Sequence, residues 1–261
     1  MSDPFESAEF SLRRAKRHFQ DFDALASGYI ASDAYAVRTE FNNQTGLNEV
    51  KIKFIRDFPE ELRGSASDAL KNIRDALDQA MSAASFVVTG RRSNRTHFPF
   101  GESADDLEQS LSLRKAGNCK GIPEELFPAI RFIKPYPHTG DNFRLKLLQK
   151  VSGPHKHSVS LTLGTAAPFP FGRVELIGEN SVSLVTVNFP EWDRTKDEAI
   201  VATYDGDGKI DLSHAFHIAL DHPELRNIPA IQVLSGWGGR AEWIISGLKK
   251  TVEMILAERG G

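Results

Sequence analysis

A chain of 261 residues with 40% hydrophobic and 26% charged residues can bury a sizeable core, as one large domain or two modest ones. Its formal charge of -3 gives no overall basic field for a polyanion, so any nucleic-acid contact must come from a local patch. The single cysteine, Cys119, excludes an internal disulfide and a thiolate metal cage and points to a reducing compartment.

The first residues, Met1 to Ser7, are polar and lack the charged-then-apolar order of a signal peptide. No run approaches the ~18 apolar residues of a membrane span, so a cytoplasmic protein without membrane contact is expected. From Ser7 to Leu25, apolar residues at Phe10, Leu12, Ala15, Phe19, Phe22 and Leu25 predict a surface helix with one buried stripe. Residues 34–41 and 49–55 alternate like strands around Asn42 to Gly46, which predicts a hairpin. Ser65 or Ser67 can cap a long helix whose Leu70, Ile73, Leu77, Ala80, Met81, Ala84 and Val88 form one buried face, and Gly90 ends it.

A basic loop from Arg91 to Phe100 leads to helices over 103–114, 123–134 and 141–152, with prolines marking the boundaries of the second. Beyond Gly153-Pro154 the period changes to that of strands, at 158–163, 172–177, 181–189, 198–204 and 210–220. Links this short favour antiparallel pairing. A last helix over 239–258 has an apolar side that would cover one sheet face. The expected fold is α+β: a helical amino-terminal part with a small β-hairpin, then a mainly antiparallel sheet covered by a carboxy-terminal helix. The expected division is residues 1–152, with the hairpin at 34–55, and residues 153–261, packed as one body.

The polar borders of the long helix carry the sharpest pattern, Asp68-x-Leu70-x-Asn72-Ile73-Arg74-x-Ala76-Leu77-Asp78-Gln79. Together with Phe98-Pro99-Phe100, Lys134-Pro135-Tyr136 and Leu147-Leu148 leading to Lys156-His157, it resembles a bacterial protein family that has no settled activity. The likeness spans roughly residues 65 to 160 and departs from the family pattern at two places. Gln79 stands where a histidine is usual, and Gly153-Pro154-His155 replaces an Asn-x-Asp approach to Lys156-His157. A looser resemblance is to HEPN-type helical domains, some of which are ribonucleases with an arginine and a histidine four to six residues apart. Arg74 and Gln79 have that spacing, but an amide cannot exchange a proton near neutral pH.

Helical geometry bears on the same residues. Taking Ile73 as the centre of the apolar stripe, Arg74 lies about 100° to one side and Gln79 about 120° to the other. Asn72 and Gln79 thus share one border while Arg74 and Asp78 share the other and can pair at i,i+4. These residues serve either as structural ties to neighbouring elements or, with Lys156 and His157, as a polar groove.

Other motifs are weaker. His155 and His157 point one way on a strand, but two histidines do not make a metal site, and His214 and His217 have opposite parity on theirs. No metal or cofactor is expected. Asp205 to Asp211 resembles the middle of an EF-hand, yet Thr203 and His214 occupy the first and twelfth positions, so a hairpin turn is the expectation. Arg91, Arg92, Arg95 and His97, joined by Arg13, Arg14, Lys16 and Arg17, form a candidate anion-binding patch, the alternative being a solvated loop. Gly236-Trp-Gly-Gly239 reads as a tight turn anchored by Trp237 rather than an anion-binding loop.

With no complete catalytic set, the expected function is a non-catalytic binding or scaffolding protein for a small molecule or a protein, with homodimerisation through strand edges open. The alternative is a HEPN-like RNA-directed nuclease, or an RNA- or nucleotide-binding protein, that replaces the lost histidine with His155 or His157 and meets RNA through the basic loop.

Overall fold

The computed structural model describes residues 3–32, 34–93, 96–112, 119–137, 143–152, 163–166, 175–177, 184–187, 193, 196, 198–206, 209–211, 217–225 and 228–260. The fold is α+β. In chain order it runs α1 (Glu6–Ile30), β1 (Tyr35–Asn42), β2 (Leu47–Phe54), α2 (Glu60–Thr89), α3 (Ala104–Ser112), a 3-10 turn (Glu124–Leu126), α4 (Phe127–Ile133) and α5 (Phe143–Ser152). Among the described residues there follow β3 (Leu163–Ala166), β4 (Glu175–Ile177), β5 (Leu184–Val187), β6 (Glu198–Asp205), β7 (Lys209–Asp211) and β8 (His217–Leu220), before α6 (Ala230–Gly260).

The chain divides into two compact units that are not consecutive halves. One comprises residues 1–20, 65–160 and 234–261, and the other residues 21–64 and 161–233. The hairpin therefore belongs with the later strands and most of α6 with the helices. The physical reason is pairing: β2 would be left with an open edge, and β6 supplies its ladder partner.

In the first unit, α2 presents Leu70, Ile73, Leu77, Ala80, Met81 and Ala84 to a core from which each is all but excluded from water. Such burial contributes about 1.5–3 kcal/mol for each large side chain. The Ser11 hydroxyl donates to Gln79 Oε1 and ties α1 to α2. Lys16 pairs with Glu242 at 2.9 Å and ties α1 to α6. The Arg259 guanidinium donates to the Val88 carbonyl and ties α6 to the end of α2.

Two helices start well before the sequence reading has them. Helix α2 starts at Glu60, so Ser65 and Ser67 lie inside it and not at its cap. Pro59 accepts from the amide of Leu62, and Glu60 and Glu61 suit the positive end of the helix dipole, which outweighs the cost of Gly64. Helix α6 starts after Pro229, so Gly236 to Gly239 are helical and form no turn. The Phe19 ring lies so near Gly238 that a Cβ there would come within 2.6 Å of it, and glycine is what allows α1 and α6 to approach.

The second unit holds a four-stranded sheet in the order β1-β2-β6-β5, with every pairing antiparallel. Val50, Ile52, Val201, Ala202 and Tyr204 form its buried cluster, with Tyr35 against it. Burial along β6 changes phase between Val201 and Ala202, because the β2–β6 register shifts at Val50/Lys51 and Val201 is the extra residue of a bulge. Asp205 to Asp211 links strands of different ladders: β6 pairs with β2 and β5, whereas β7 pairs with β4. Among the described residues β6 and β7 form no ladder with each other, which departs from the expected hairpin, and Gly206 has φ 111°. Likewise, the strand expected over 210–220 contributes β7 to one ladder and β8 to another, which pairs with β3.

Candidate functional site

The polar borders of α2 separate as their angular positions require. On one border Asn72, only 8% exposed, donates its amide to the carbonyl of Asp68 at 2.7 Å, and Gln79 receives the Ser11 hydroxyl at 3.1 Å. On the other, Arg74 Nε donates to Asp78 Oδ2 at 3.3 Å, and its guanidinium carbon stands 4.3 Å from the centre of the Phe100 ring. Asp78 Oδ1 accepts the backbone N–H of Phe98 at 2.9 Å, and Nδ1 of His97 lies 3.4 Å from Oδ2. One carboxylate thus gathers a guanidinium, an amide and an imidazole, and fixes the loop after α2 to the helix. The motif Phe98-Pro99-Phe100 is therefore explained by packing and anchoring: Phe98 is buried and meets Phe100 edge-on at 5.0 Å.

The residues of the expected groove do not all meet. Asn72 and Gln79 make contacts apart from those of Arg74 and Asp78. Lys156 and His157, with His155 and His214, lie outside the described residues. The imidazole that reaches the arginine border is His97, which the sequence reading grouped with the basic loop.

Arg91 and Arg92 line a cleft of about 940 Å³, together with Thr89, Ser93, Lys120, Gly121, Glu124 and Glu125. One wall is the segment that leaves α2. Thr89 Oγ1 donates to the carbonyl of Ser85 at 2.7 Å, and the Arg91 amide donates back to Thr89 Oγ1 at 3.2 Å, so the chain turns sharply after Gly90. The Arg92 guanidinium lies 5.0 Å from the centre of the Phe86 ring, a cation–π contact that restrains it. The opposite wall is the turn after Cys119, closed by the Ile122 amide on the Cys119 carbonyl at 3.1 Å. Gly121 packs so closely against Thr96 and Ser93 that a side chain there would collide with both.

Charge changes sign along that second wall, from Lys120 to Glu124 and Glu125. Glu125 is held by Arg259, and its backbone amide and that guanidinium lower its carboxyl below the usual carboxylate range. Among the described residues, Arg91, Arg92 and Lys120 form no ion pair. Arg13 and Lys16 do not join this cleft: Arg13 faces Glu9 at 4.0 Å and Lys16 faces Glu242, and both line a separate groove with Lys249. Arg95 lies outside the described residues. Cys119 is buried, which pushes its thiol up and away from the reactive thiolate.

No family model, curated protein or solved structure matches the chain. Among the described residues, no group of three or more His, Cys, Asp and Glu side chains is gathered to hold a metal ion. Sequence reasoning missed Lys120, Glu124 and Glu125 as companions of the basic loop, since nothing local links residues some thirty positions apart. Gly121 beside Lys120 was the available signal, as glycine outside regular structure often marks close backbone approach.

Proposed function

We propose that this is a non-catalytic binding protein whose ligand carries an anionic group and sits in the cleft of Arg91, Arg92 and Lys120. The observation that carries the reading is the contrast between these three cations and the polar residues of α2. The latter are consumed by contacts that hold the fold together, whereas the former stand in a concavity with no carboxylate paired to them among the described residues. Arginine forks suit phosphate and carboxylate oxygens, and Lys120 adds a point charge. No described helix is long and apolar enough to cross a membrane. A single buried thiol supports a reducing, cytoplasmic setting.

A ligand that binds only the folded chain must raise its melting temperature, by roughly 2.7 kcal/mol of stability at a hundred times its Kd. Thermal-shift titrations with inorganic phosphate, mononucleotides and short RNAs are expected to stabilise the wild type by a few degrees. The double variant Arg91→Ala/Arg92→Ala should lose that shift. An equal shift in both proteins, or none with any anion, rejects the cleft.

One observation favours a second reading, an RNA-directed enzyme. His97 and Arg74 share the Asp78 carboxylate, so an imidazole oriented by an acid stands beside a guanidinium. Against it, the Arg74 side chain is only 13% exposed and is committed to Asp78 and Phe100. RNA degradation by wild type, with its loss in both Arg74→Ala and His97→Ala, would establish the enzyme. Equal background in all three leaves the binding reading standing.

A further inference from the structure

We propose that β1 is a self-pairing edge: two copies of the chain join their β1 strands antiparallel about a two-fold axis at Thr39, so that each four-stranded sheet continues into the other. β1 belongs to the second unit, and this surface shares no residue with the cleft of Arg91, Arg92 and Lys120.

Among the described residues β1 ends the order β1-β2-β6-β5 and pairs with β2 alone. Its residues, Tyr35–Asn42, run against β2 in unbroken register. The strand contains no proline, no lysine and no bulge, three devices that keep an open edge from pairing. The Ile55 amide donates to the Ala34 carbonyl at 2.9 Å, and bonding in an antiparallel ladder alternates from there. Ala36, Arg38, Glu40 and Asn42 therefore exchange bonds with β2, while the N–H and C=O groups of Val37, Thr39 and Phe41 point to the outer edge.

The same strand carries an apolar face beyond its cover. Val37 and Thr39 stand opposite Ile52 and Val50, which are all but excluded from water, and Phe41 stands opposite Asn48 on the same face. Yet Val37 is 39% and Phe41 60% exposed. The face that β2 and β6 bury thus continues onto β1 and is left half open there. A further strand alongside gives both side chains cross-strand neighbours.

Charge selects the occupant and the register. An axis at Arg38 would set Arg38 against its own copy, and an axis at Glu40 would do the same to Glu40, and like charges directly opposite are destabilising. Axes at Val37 or Phe41 shorten the seam and pair neither charge with the other. With the axis at Thr39, each Arg38 faces Glu40 of the second copy, and each Val37 faces Phe41 of the second copy. The two charged contacts fall in non-hydrogen-bonded pairs, where side chains stand closest, and about six backbone bonds link the residues between them. Arg38 and Glu40 are both exposed, and Glu40 accepts from Lys51 at 2.8 Å. Arg38 of the second copy extends that contact to a row of cation, anion and cation. One strand is thus complementary to itself in charge and in apolar surface at a single register, which is what a two-fold interface requires.

Sedimentation equilibrium of the full chain over a concentration series tests the proposal. A monomer–dimer equilibrium is expected, and a wild type that stays monomeric throughout, or that grows past two copies, overturns it. Thr39→Pro removes the outward N–H at the axis and leaves the bonds to β2 in place, so association should weaken about tenfold with the circular dichroism unchanged. Arg38→Glu sets glutamate against glutamate at both contacts and should also weaken association about tenfold. Glu40→Arg sets arginine against arginine, with the same result. Mixed in equal amounts, the two charge variants should recover the dimer, because each supplies the charge that the other lacks. A dimer that none of these substitutions weakens, or charge variants that stay apart when mixed, overturns the β1 seam. Should Glu40→Arg fail to fold without its bond to Lys51, Thr39→Pro and Arg38→Glu decide the matter by themselves.

Discussion

Asp78→Ala is expected to lower the unfolding free energy by about 3 kcal/mol, close to the lower end for breaking a buried charge pair. The size follows from what one carboxylate does. Its Oδ2 holds Arg74 Nε at 3.3 Å, its Oδ1 accepts the Phe98 amide at 2.9 Å, and His97 Nδ1 stands at 3.4 Å. The Arg74 and Asp78 side chains are 13% and 17% exposed, so water can replace the lost partner only in part. Alanine strands a guanidinium packed on Phe100 and leaves the Phe98 N–H without its acceptor, which alone costs about 1–3 kcal/mol when buried. Asp78→Asn keeps an oxygen for that amide but loses the charge, so its cost should be intermediate. Urea unfolding at constant m-value reads all three proteins. A loss below about 0.5 kcal/mol for alanine would place Asp78 among ordinary surface residues.

The same carboxylate shows what was legible in the sequence. The Arg74–Asp78 pair follows from spacing alone, since residues four apart on a helix are neighbours, and the structure has it. The buried face of α2 was equally legible, because a period of 3.6 over twenty residues leaves little choice of orientation. His97 is nineteen residues from Asp78 and arrives through a loop with no period, so no local rule points to it. Gly238 marks a different limit. Four residues with three glycines read locally as a turn, yet a close approach to Phe19 keeps them in a helix. The pairing of β2 with β6 joins residues about 150 positions apart, and the hairpin signal at Asn42 to Gly46 says nothing of what the outer edge of β2 meets.

Lys51→Met should cost about 2–3 kcal/mol at neutral pH, and the loss should shrink as the solution is acidified. Lys51 Nζ lies 2.8 Å from Glu40, 3.2 Å from Glu49 and 3.8 Å from Glu198, so one ammonium serves three carboxylates on the polar face of the sheet. Glu49 is 8% exposed and depends on it most, with Asn42 as its other partner. The hydrogen bond from Lys51 and its charge hold Glu40 below the usual carboxylate range, with Arg38 and Lys53 adding to the effect. A carboxyl lowered in the folded state contributes stability above its unfolded pKa and loses it as pH falls through the folded value.

The bond to Glu40 raises Lys51 from its ordinary 10.5, so its contribution is complete below that value and fades only as pH rises through the folded one. Between the carboxylate range and strong alkali the cluster is therefore fully formed in the wild type. Methionine removes the cation that holds Glu40 low and leaves three carboxylates to repel one another, a repulsion that protonation in acid relieves. Near pH ~4 the variant should thus recover toward the wild type, whose own pairing weakens over the same interval. Denaturant unfolding at a series of pH values measures the gap. A gap that stays constant, or widens toward acid, would mean that Lys51 stabilises the sheet through its aliphatic stem and not through its charge.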